Sequence, residues 1–164
     1  MCGLSFSGKT TLARRISEAT RSAIVSYDEL YAHAPRDEAI TGLEEWRLIV
    51  GLVHEQTRAR LAAGESVVVD NLNEDVIDRD QLRAIAEEQG ATTIVVFVDA
   101  PLDEIDARRR RNEVSGHRGY TSDEQFAFVL AKFEPPGPGE RTIRFRGDED
   151  IDVWLDELQR LVAG

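Results

Sequence analysis

One short stretch near the start of the chain constrains its fold more than any other. Residues 3–10 read GLSFSGKT, which is the pattern G-x-x-x-x-G-K-[ST] of a loop that binds phosphate groups. Leu12, Ile16 and Ala19 then keep helical spacing, so the loop opens a helix whose first backbone N–H groups face the phosphates. The pattern therefore predicts a phosphate-binding loop at the amino end of a helix.

Continuous apolar runs, rather than alternating ones, follow this helix. They cover residues 23–26, 66–70 and 92–99, and their β-branched side chains predict buried parallel strands. Helical patterns lie between the runs, and residues 141–145 predict a last strand before a closing helix. This alternation predicts an α/β fold, a parallel sheet with helices on both faces. Together with the phosphate-binding loop, it is typical of a P-loop NTPase.

The start of the chain does not fit this pattern. A phosphate-binding loop normally follows a buried strand, but only Met1 and Cys2 precede Gly3. We therefore expect the first strand to be truncated, with several of its residues missing from this sequence.

Composition limits the class of protein. The chain has 164 residues, 41% of them hydrophobic and 31% charged, which predicts a single folded domain over residues 1–164. Its formal net charge of −11 disfavours broad binding to duplex nucleic acid, although a strand end gripped locally stays compatible with it. Without a membrane span or a signal peptide, and with Cys2 as its single cysteine, the protein is expected in the cytoplasm.

The chemistry of the loop follows from its residue types. The backbone N–H groups of residues 5–9 can cradle the α- and β-phosphates of ATP, and Lys9 can reach the β- and γ-phosphates. The hydroxyl of Thr10 can ligate Mg²⁺. The alternative interpretation is a glycine loop that only caps a helix. The predicted nucleotide-binding residues are Gly3, Ser5, Phe6, Ser7, Gly8, Lys9, Thr10 and Thr11.

Two aspartates are further candidates. Asp28 and Asp70 follow or end predicted strands, and ligands of α/β sheets bind beyond the carboxyl ends of the strands. Both carboxylates are therefore expected in the same cleft as the loop. The alternatives are that Asp28 caps a short helix over residues 29–32 and that Asp70 caps the segment after it.

Four more stretches accompany the loop in a specific order. They are VSYDEL at residues 25–30, VDNLN at 69–73, RN at 111–112 and FEPP at 133–136. With them, and up to about residue 140, the chain resembles the P-loop kinases of the phage-type polynucleotide 5′-kinase, zeta-toxin and chloramphenicol-phosphotransferase group. The loop alone is common to a vast superfamily, whereas the later motifs are much more specific.

The resemblance implies a role for each polar candidate. Asp28 matches the general base that takes the proton of the acceptor hydroxyl, and Asp70 matches the acidic residue near the metal. A lid at about residues 112–122 is implied, in which Arg111 and Arg118 clamp the phosphates. The implied cofactors are ATP and Mg²⁺. The alternative for the arginine run that ends at Arg111 is a solvated basic end of a helix, where cations suit the helix dipole.

The resemblance implies transfer of the γ-phosphate of ATP to a hydroxyl group. The phage-type enzyme has an arginine three residues after its base, which helps to hold nucleic acid, and this chain has Tyr31 there. We therefore favour a small-molecule acceptor, and the 5′-hydroxyl of a polynucleotide is the alternative. A second alternative is an ATP-binding module or ATPase switch with no acceptor; a motor-type ATPase is disfavoured because Asn71, not an acid, follows Asp70.

Overall fold

The computed structural model describes residues 1–34, 41–115 and 122–163. Strands and helices alternate along these residues. In chain order they are α1 (Lys9–Thr20), β1 (Ala23–Ser26), α2 (Tyr27–His33), α3 (Leu43–Ala62), β2 (Val67–Asp70), α4 (Val76–Glu88), β3 (Val95–Val98), α5 (Leu102–Ser115), α6 (Asp123–Lys132), β4 (Thr142–Phe145) and α7 (Ile151–Ala163). The predicted α/β fold is confirmed.

The strands form two parallel pairs. β1 pairs with β2 in a register that places Ser26 opposite Asp70, and β3 pairs with β4. Met1 and Cys2 lie between the pairs and join them. The Met1 amino nitrogen donates to the carbonyl oxygen of Val69 at 2.7 Å, and Cys2 forms a single parallel bridge with Phe97. The order across the sheet is therefore β1, β2, residues 1–2, β3, β4.

Helices cover both faces of the strands. On one face, Leu12 and Ile16 of α1 and Trp154 and Leu158 of α7 pack in one buried cluster with Val96. These apolar positions recur every three or four residues, which is why one stripe of each helix is buried. On the other face, the buried cluster is formed by Cys2, Val95 and Phe97, against which Phe133 packs.

The helix before the predicted lid is longer than expected. α5 was expected to end near Arg111, but it continues to Ser115, because residues 112–115 contain no glycine or proline that would end a helix. Ser122, the last residue of the predicted lid, caps α6 through a reciprocal capping box with Gln125. The rest of the predicted lid, residues 116–121, lies outside the described residues.

Within the three described ranges, no helix combines the length and the apolar character that a bilayer span requires.

Candidate active site

The first glycine of the phosphate-binding loop is fixed by close packing against the sheet. A Cβ atom on Gly3 would lie 2.7 Å from the carbonyl oxygen of Val98, which is backbone and cannot move aside. The φ angle of Gly3 is +147°, and that of Gly8 at the end of the loop is +108°, in a region that side chains disfavour. The motif therefore needs glycine at both positions for reasons of shape.

The middle of the loop is held in a tight turn. The backbone of Phe6 is left-handed, with φ at +64°, which is uncommon for a residue that is not glycine. The Ser7 N–H donates to the carbonyl oxygen of Leu4 at 3.2 Å, and Lys9 Nζ donates to the same oxygen at 2.7 Å. The Lys9 ammonium thus lies over the loop, where the phosphates of a nucleotide would sit.

The loop leads directly into the amino end of α1. Gly8 occupies the N-cap position, so no side chain caps the first N–H groups of the helix. The Ser7 hydroxyl is buried, and it has no hydrogen-bond partner among the residues that the structure describes. N–H groups without a side-chain cap, an orphaned hydroxyl and a nearby ammonium can all donate hydrogen bonds to a phosphate group, so these residues fit the phosphates of a nucleotide.

Arg108 of α5 is a contact of the loop that sequence reasoning missed. Its guanidinium donates to the carbonyl oxygens of Phe6 at 3.2 Å and Ser7 at 2.8 Å, and it also pairs with Glu104 at 2.8 Å. It approaches Gly8 and Gly147, the latter in the turn after β4. Arg108 therefore ties the phosphate-binding loop to α5.

The four arginines of α5 differ in their surroundings. The Arg109 guanidinium is 7% exposed, pairs with Asp123 at the start of α6 and lies 4.5 Å from the Phe126 ring centroid. Arg110 is 76% exposed and pairs with Asp106. Arg111 is exposed and donates to the Ala107 carbonyl oxygen of its own helix at 3.2 Å.

One signal in the sequence distinguishes these arginines. Ile105 is buried in α5, and residues three and four positions later share its helix face, which selects Arg108 and Arg109. Helical periodicity would thus have selected Arg108 together with Arg109, whereas the motif comparison selected Arg111. Arg118 lies outside the described residues.

Asp28 lies in the first turn of α2, and its side chain is exposed. The alternative that it caps a helix over residues 29–32 is wrong, because α2 begins at Tyr27 and its cap is Ser26. The Ser26 hydroxyl accepts a hydrogen bond from the Glu29 N–H at 3.4 Å. Asp28 is therefore free of the capping role.

Asp70 ends β2 and is only 6% exposed. The alternative that it caps the next helix is also wrong, because Asp75 caps α4 through a hydrogen bond from the Asp78 N–H at 2.8 Å. A buried carboxylate next to a phosphate site is a suitable ligand, directly or through water, for Mg²⁺. Thr10 lies in the first turn of α1, so both predicted metal ligands lie at the loop end of the sheet.

Three neighbouring segments meet at this edge of the sheet. The Gly3 N–H donates to the Leu72 carbonyl oxygen at 3.4 Å, just beyond Asp70. Asp70 in turn lies opposite Ser26, which leads without a linking loop into the turn that holds Asp28. The described residues contain no group of three or more His, Cys, Asp or Glu side chains that could hold a metal alone.

Two tyrosines flank Asp28 on α2. The rings of Tyr27 and Tyr31 stack, with centroids 6.2 Å apart and planes 12° apart. Burial of the hydroxyl, with further contributions from Tyr31 and Glu45, raises the pKa of Tyr27 to about 12. Tyr27 is therefore an uncharged hydrogen-bond donor at neutral pH, beside an exposed carboxylate.

The loop, the helix that it opens and the parallel strands define a P-loop NTPase-like α/β fold. The chain belongs to the AAA domain family, whose sequence profile matches residues 1–136. No curated protein matches the chain. The comparisons therefore give a P-loop kinase-like fold, and they do not single out the phage-type polynucleotide kinase group.

Solved structures share this fold over nearly the whole chain. Kti12 from Chaetomium thermophilum in complex with ADP-AlF3 is 20% identical, with a TM-score of 0.78 and coverage of 99% of this chain and 97% of that one. The APS kinase CysC from Mycobacterium tuberculosis in complex with AMPPNP and APS is 19% identical, with a TM-score of 0.73 and coverage of 99% and 95%. A gluconokinase from Sinorhizobium meliloti is 22% identical, with a TM-score of 0.69 and coverage of 99% and 91%.

Proposed function

We propose that this protein is a Mg²⁺-ATP-dependent phosphotransferase that moves the γ-phosphate to a hydroxyl group of a small molecule. The observation that carries this proposal is the arrangement at the carboxyl edge of the sheet. The phosphate-binding loop, the buried carboxylate of Asp70 and the exposed carboxylate of Asp28 lie on three successive neighbouring segments. In this proposal the loop binds a nucleotide, Asp70 binds a metal and Asp28 binds the acceptor hydroxyl.

The loop holds the nucleotide in this proposal. ATP supplies the phosphoryl group, and Mg²⁺ offsets the charge of its phosphates. The N–H groups at the start of α1 and the Lys9 ammonium bind the phosphates, and Lys9 exchanges its hydrogen bond to Leu4 for one to a phosphate oxygen. Thr10 and Asp70 hold the metal. Arg111 and Arg118 keep the predicted role of closing over the transferred phosphate.

Asp28 positions and deprotonates the acceptor hydroxyl. Its exposed carboxylate does not cap the helix, and it lies two residues beyond the end of β1, so an incoming hydroxyl can donate to it. Phosphoryl transfer depends mostly on position and electrostatics, so the carboxylate contributes by aligning the hydroxyl as well as by taking its proton.

The surroundings of Asp28 favour a small acceptor over a polynucleotide. Asp28 and Glu29 lie in the first turn of α2, and Glu44 and Glu45 lie in the first turn of α3, which packs against α2. Four carboxylates near the acceptor position repel a chain of phosphates. The APS kinase and gluconokinase that share the fold are named for small acceptors, which supports the same choice here.

The first experiment measures transfer of labelled γ-phosphate from Mg²⁺-ATP to a pool of small hydroxylated metabolites and, separately, to an oligonucleotide with a 5′-hydroxyl. We expect label in the pool. Label on the oligonucleotide alone would replace the proposal by a polynucleotide kinase. ADP release at full speed without any acceptor would replace it by an ATPase switch.

The role of Asp28 has a matched control on the same helix turn. We expect Asp28→Asn to retain ATP binding and to lower transfer by about 10²- to 10⁴-fold, the usual contribution of a general base. Glu29→Gln, the neighbouring exposed carboxylate, should leave transfer within about twofold. Equal losses in the two variants would show a general effect of charge, and retained turnover in Asp28→Asn would remove its assigned role.

A further inference from the structure

Phe6 combines a disfavoured backbone conformation with a buried side chain. Its φ of +64° lies in the left-handed region, where the Cβ atom of any residue other than glycine is crowded. Its side chain is nevertheless buried, in the middle of the phosphate-binding loop. A residue persists in such a conformation only where its surroundings hold it. The contacts of the Phe6 side chain are therefore expected to keep the loop in this turn.

The Phe6 side chain packs in a buried apolar cluster that joins three segments of the chain. Leu4 and Phe6 belong to the loop, and Ile105 of α5 completes the buried part of the cluster. Phe126 and Val129 of α6 pack against it. The cluster therefore connects the loop to two helices that lie far from it in the sequence.

α5 also holds the backbone of the same residue. The Arg108 guanidinium donates to the carbonyl oxygen of Phe6 at 3.2 Å and to that of Ser7 at 2.8 Å. Arg108 follows Ile105 by three residues, so the two side chains share one face of α5. That face of α5 thus bonds to the Phe6 carbonyl group and packs in the cluster that buries the Phe6 side chain.

α5 and α6 are joined to each other directly. The buried guanidinium of Arg109 lies 4.5 Å from the Phe126 ring centroid and pairs with Asp123 at the start of α6. Phe126 and Val129 are three residues apart and share a face of α6, whereas Phe128 is 60% exposed. One face of α6 therefore packs toward the loop, and Phe128 lies outside that face.

We infer that Phe6 is a positioning residue for nucleotide binding. Packing of its ring in the cluster with α5 and α6 holds the loop in the left-handed turn that presents backbone N–H groups to phosphate. This inference rests on the proposed binding of ATP. It makes the affinity for ATP depend on α6, although α6 contains none of the predicted nucleotide-binding residues.

Glycine at position 6 would remove this dependence. Glycine populates positive φ about as readily as negative φ, so it adopts the same turn without help from a side chain. The packing of α6 should therefore affect the loop only when residue 6 is phenylalanine, and this condition separates positioning through Phe6 from a general loss of stability.

The test is a set of double-mutant cycles between position 6 and α6 in the full chain, with calorimetric titration of Mg²⁺-ATP. Phe126→Ala and the milder truncation Val129→Ala should each weaken binding by about five- to tenfold when Phe6 is present. In the Phe6→Gly background both should change affinity by less than about twofold. Phe128→Ala is the control on the exposed side of α6, and it should have less than about a twofold effect in either background. Circular dichroism checks that each variant is folded.

Amide hydrogen exchange of the chain without nucleotide separates this inference from the proposed function. The Ser7 N–H donates to the Leu4 carbonyl oxygen across the turn. It should exchange at least about tenfold faster in Phe126→Ala and Val129→Ala when Phe6 is present, and no faster when Phe6→Gly is the background.

Equal effects of the α6 variants in the two backgrounds, in either measurement, would overturn the inference, as would the absence of any effect when Phe6 is present. If the unsubstituted chain does not bind ATP, the proposed function is overturned. The exchange measurement then decides alone whether Phe6 holds the loop.

Discussion

The carboxyl and amino ends of the sheet, at its centre between β2 and β3, are built in different ways. At the carboxyl end, Gly3 is packed so closely against Val98 that a methyl group cannot be added, and Lys9 and Arg108 hold the loop from two sides. At the amino end, a slot of about 720 Å³, lined by residues 67–69 and 94–96, lies between the two strand pairs, and of the described residues only Met1 and Cys2 join the pairs. Close packing therefore fixes the conformation of the chain at the end where phosphate would bind, whereas the opposite end of the sheet is sparsely packed.

A buried ion-pair network supports the sparsely packed end. Arg79 lines the slot, is 4% exposed and donates two hydrogen bonds to the Glu140 carboxylate, at 2.7 and 2.9 Å. Its guanidinium also reaches the carbonyl oxygens of Asn73 and Glu134, both at 3.0 Å. Arg83 adds a third hydrogen bond to Glu140. This network links α4 to the segment before β4.

The largest expected effect on stability comes from removing the negative charge of Glu140 from this network. Glu140→Gln leaves Arg79 buried without its counter-ion, which should lower the free energy of unfolding by about 3–5 kcal/mol. Urea denaturation followed by circular dichroism measures this loss. Asp80→Asn, which removes only the exposed partner of Arg83, is the control and should cost less than about 1 kcal/mol. Similar losses in both variants would contradict the idea that the buried pair supports the slot.

The next largest effect is expected from acid, which should lower the stability of the same end of the sheet. Hydrogen bonds from Arg79, and then those from Arg83 and the Gly137 backbone, lower the pKa of Glu140 from 4.5 to about 2. Since the folded state binds the proton less tightly than the unfolded state, this stabilisation is complete above about pH 4.5 and is lost as the pH falls toward 2. We expect stability measured between pH 6 and pH 2.5 to fall less steeply in Glu140→Gln. An unchanged slope would contradict the assignment.

A smaller effect is expected at the closely packed end. Gly3→Ala places a methyl group 2.7 Å from the Val98 carbonyl oxygen at a φ of +147°, which should lower stability by about 1–3 kcal/mol and weaken nucleotide binding. Gly64→Ala is the matched control, because its φ is also positive, at +79°, but nothing lies within 4 Å of the added methyl group. Thermal denaturation and nucleotide titration of the two variants separate close contact from backbone strain.

The smallest effect distinguishes the arginines of α5. Arg108→Met removes the hydrogen bonds to the Phe6 and Ser7 carbonyl oxygens, and it should weaken ATP binding by about tenfold, equivalent to about 1.4 kcal/mol. Isothermal titration with ATP in the absence of acceptor measures this change. Arg111→Met is the control and should change affinity less than about twofold, since Arg111 bonds only to its own helix among the contacts described. An equal or larger loss of ATP affinity in Arg111→Met would contradict the assignment of Arg108 as the arginine of α5 that supports the loop before transfer.

Much of this architecture could be predicted because it depends on local patterns. The continuous β-branched runs gave β1 and β2 within one residue of their observed bounds, and the spacing of Leu12 and Ile16 gave α1. The phosphate-binding loop was recognisable because its glycines satisfy a local requirement of the backbone. These features need few contacts from distant parts of the chain.

The missed features depend on contacts between distant residues. Arg108 lies about a hundred positions from the loop that it holds, so no motif around it reveals the contact. The alternative that Asp28 caps a helix failed because Ser26, the last residue of β1, provides the cap of α2. β3 is shorter than its apolar run, because residues 92–94 line the slot without strand pairing. A local sequence pattern does not show which strand edges lack a neighbouring strand.

The direct junction of β1 and α2 has a consequence for how such a protein can diversify. Ser26 ends the strand and caps the helix, so no loop residue separates the sheet from Asp28. Insertions there would displace the carboxylate, whereas substitutions at Tyr31, one helical turn further on, would leave it in place. In the proposed mechanism, the position of the base, Asp28, is therefore fixed by the sheet, and selection for a new acceptor can act on Tyr31 without moving Asp28.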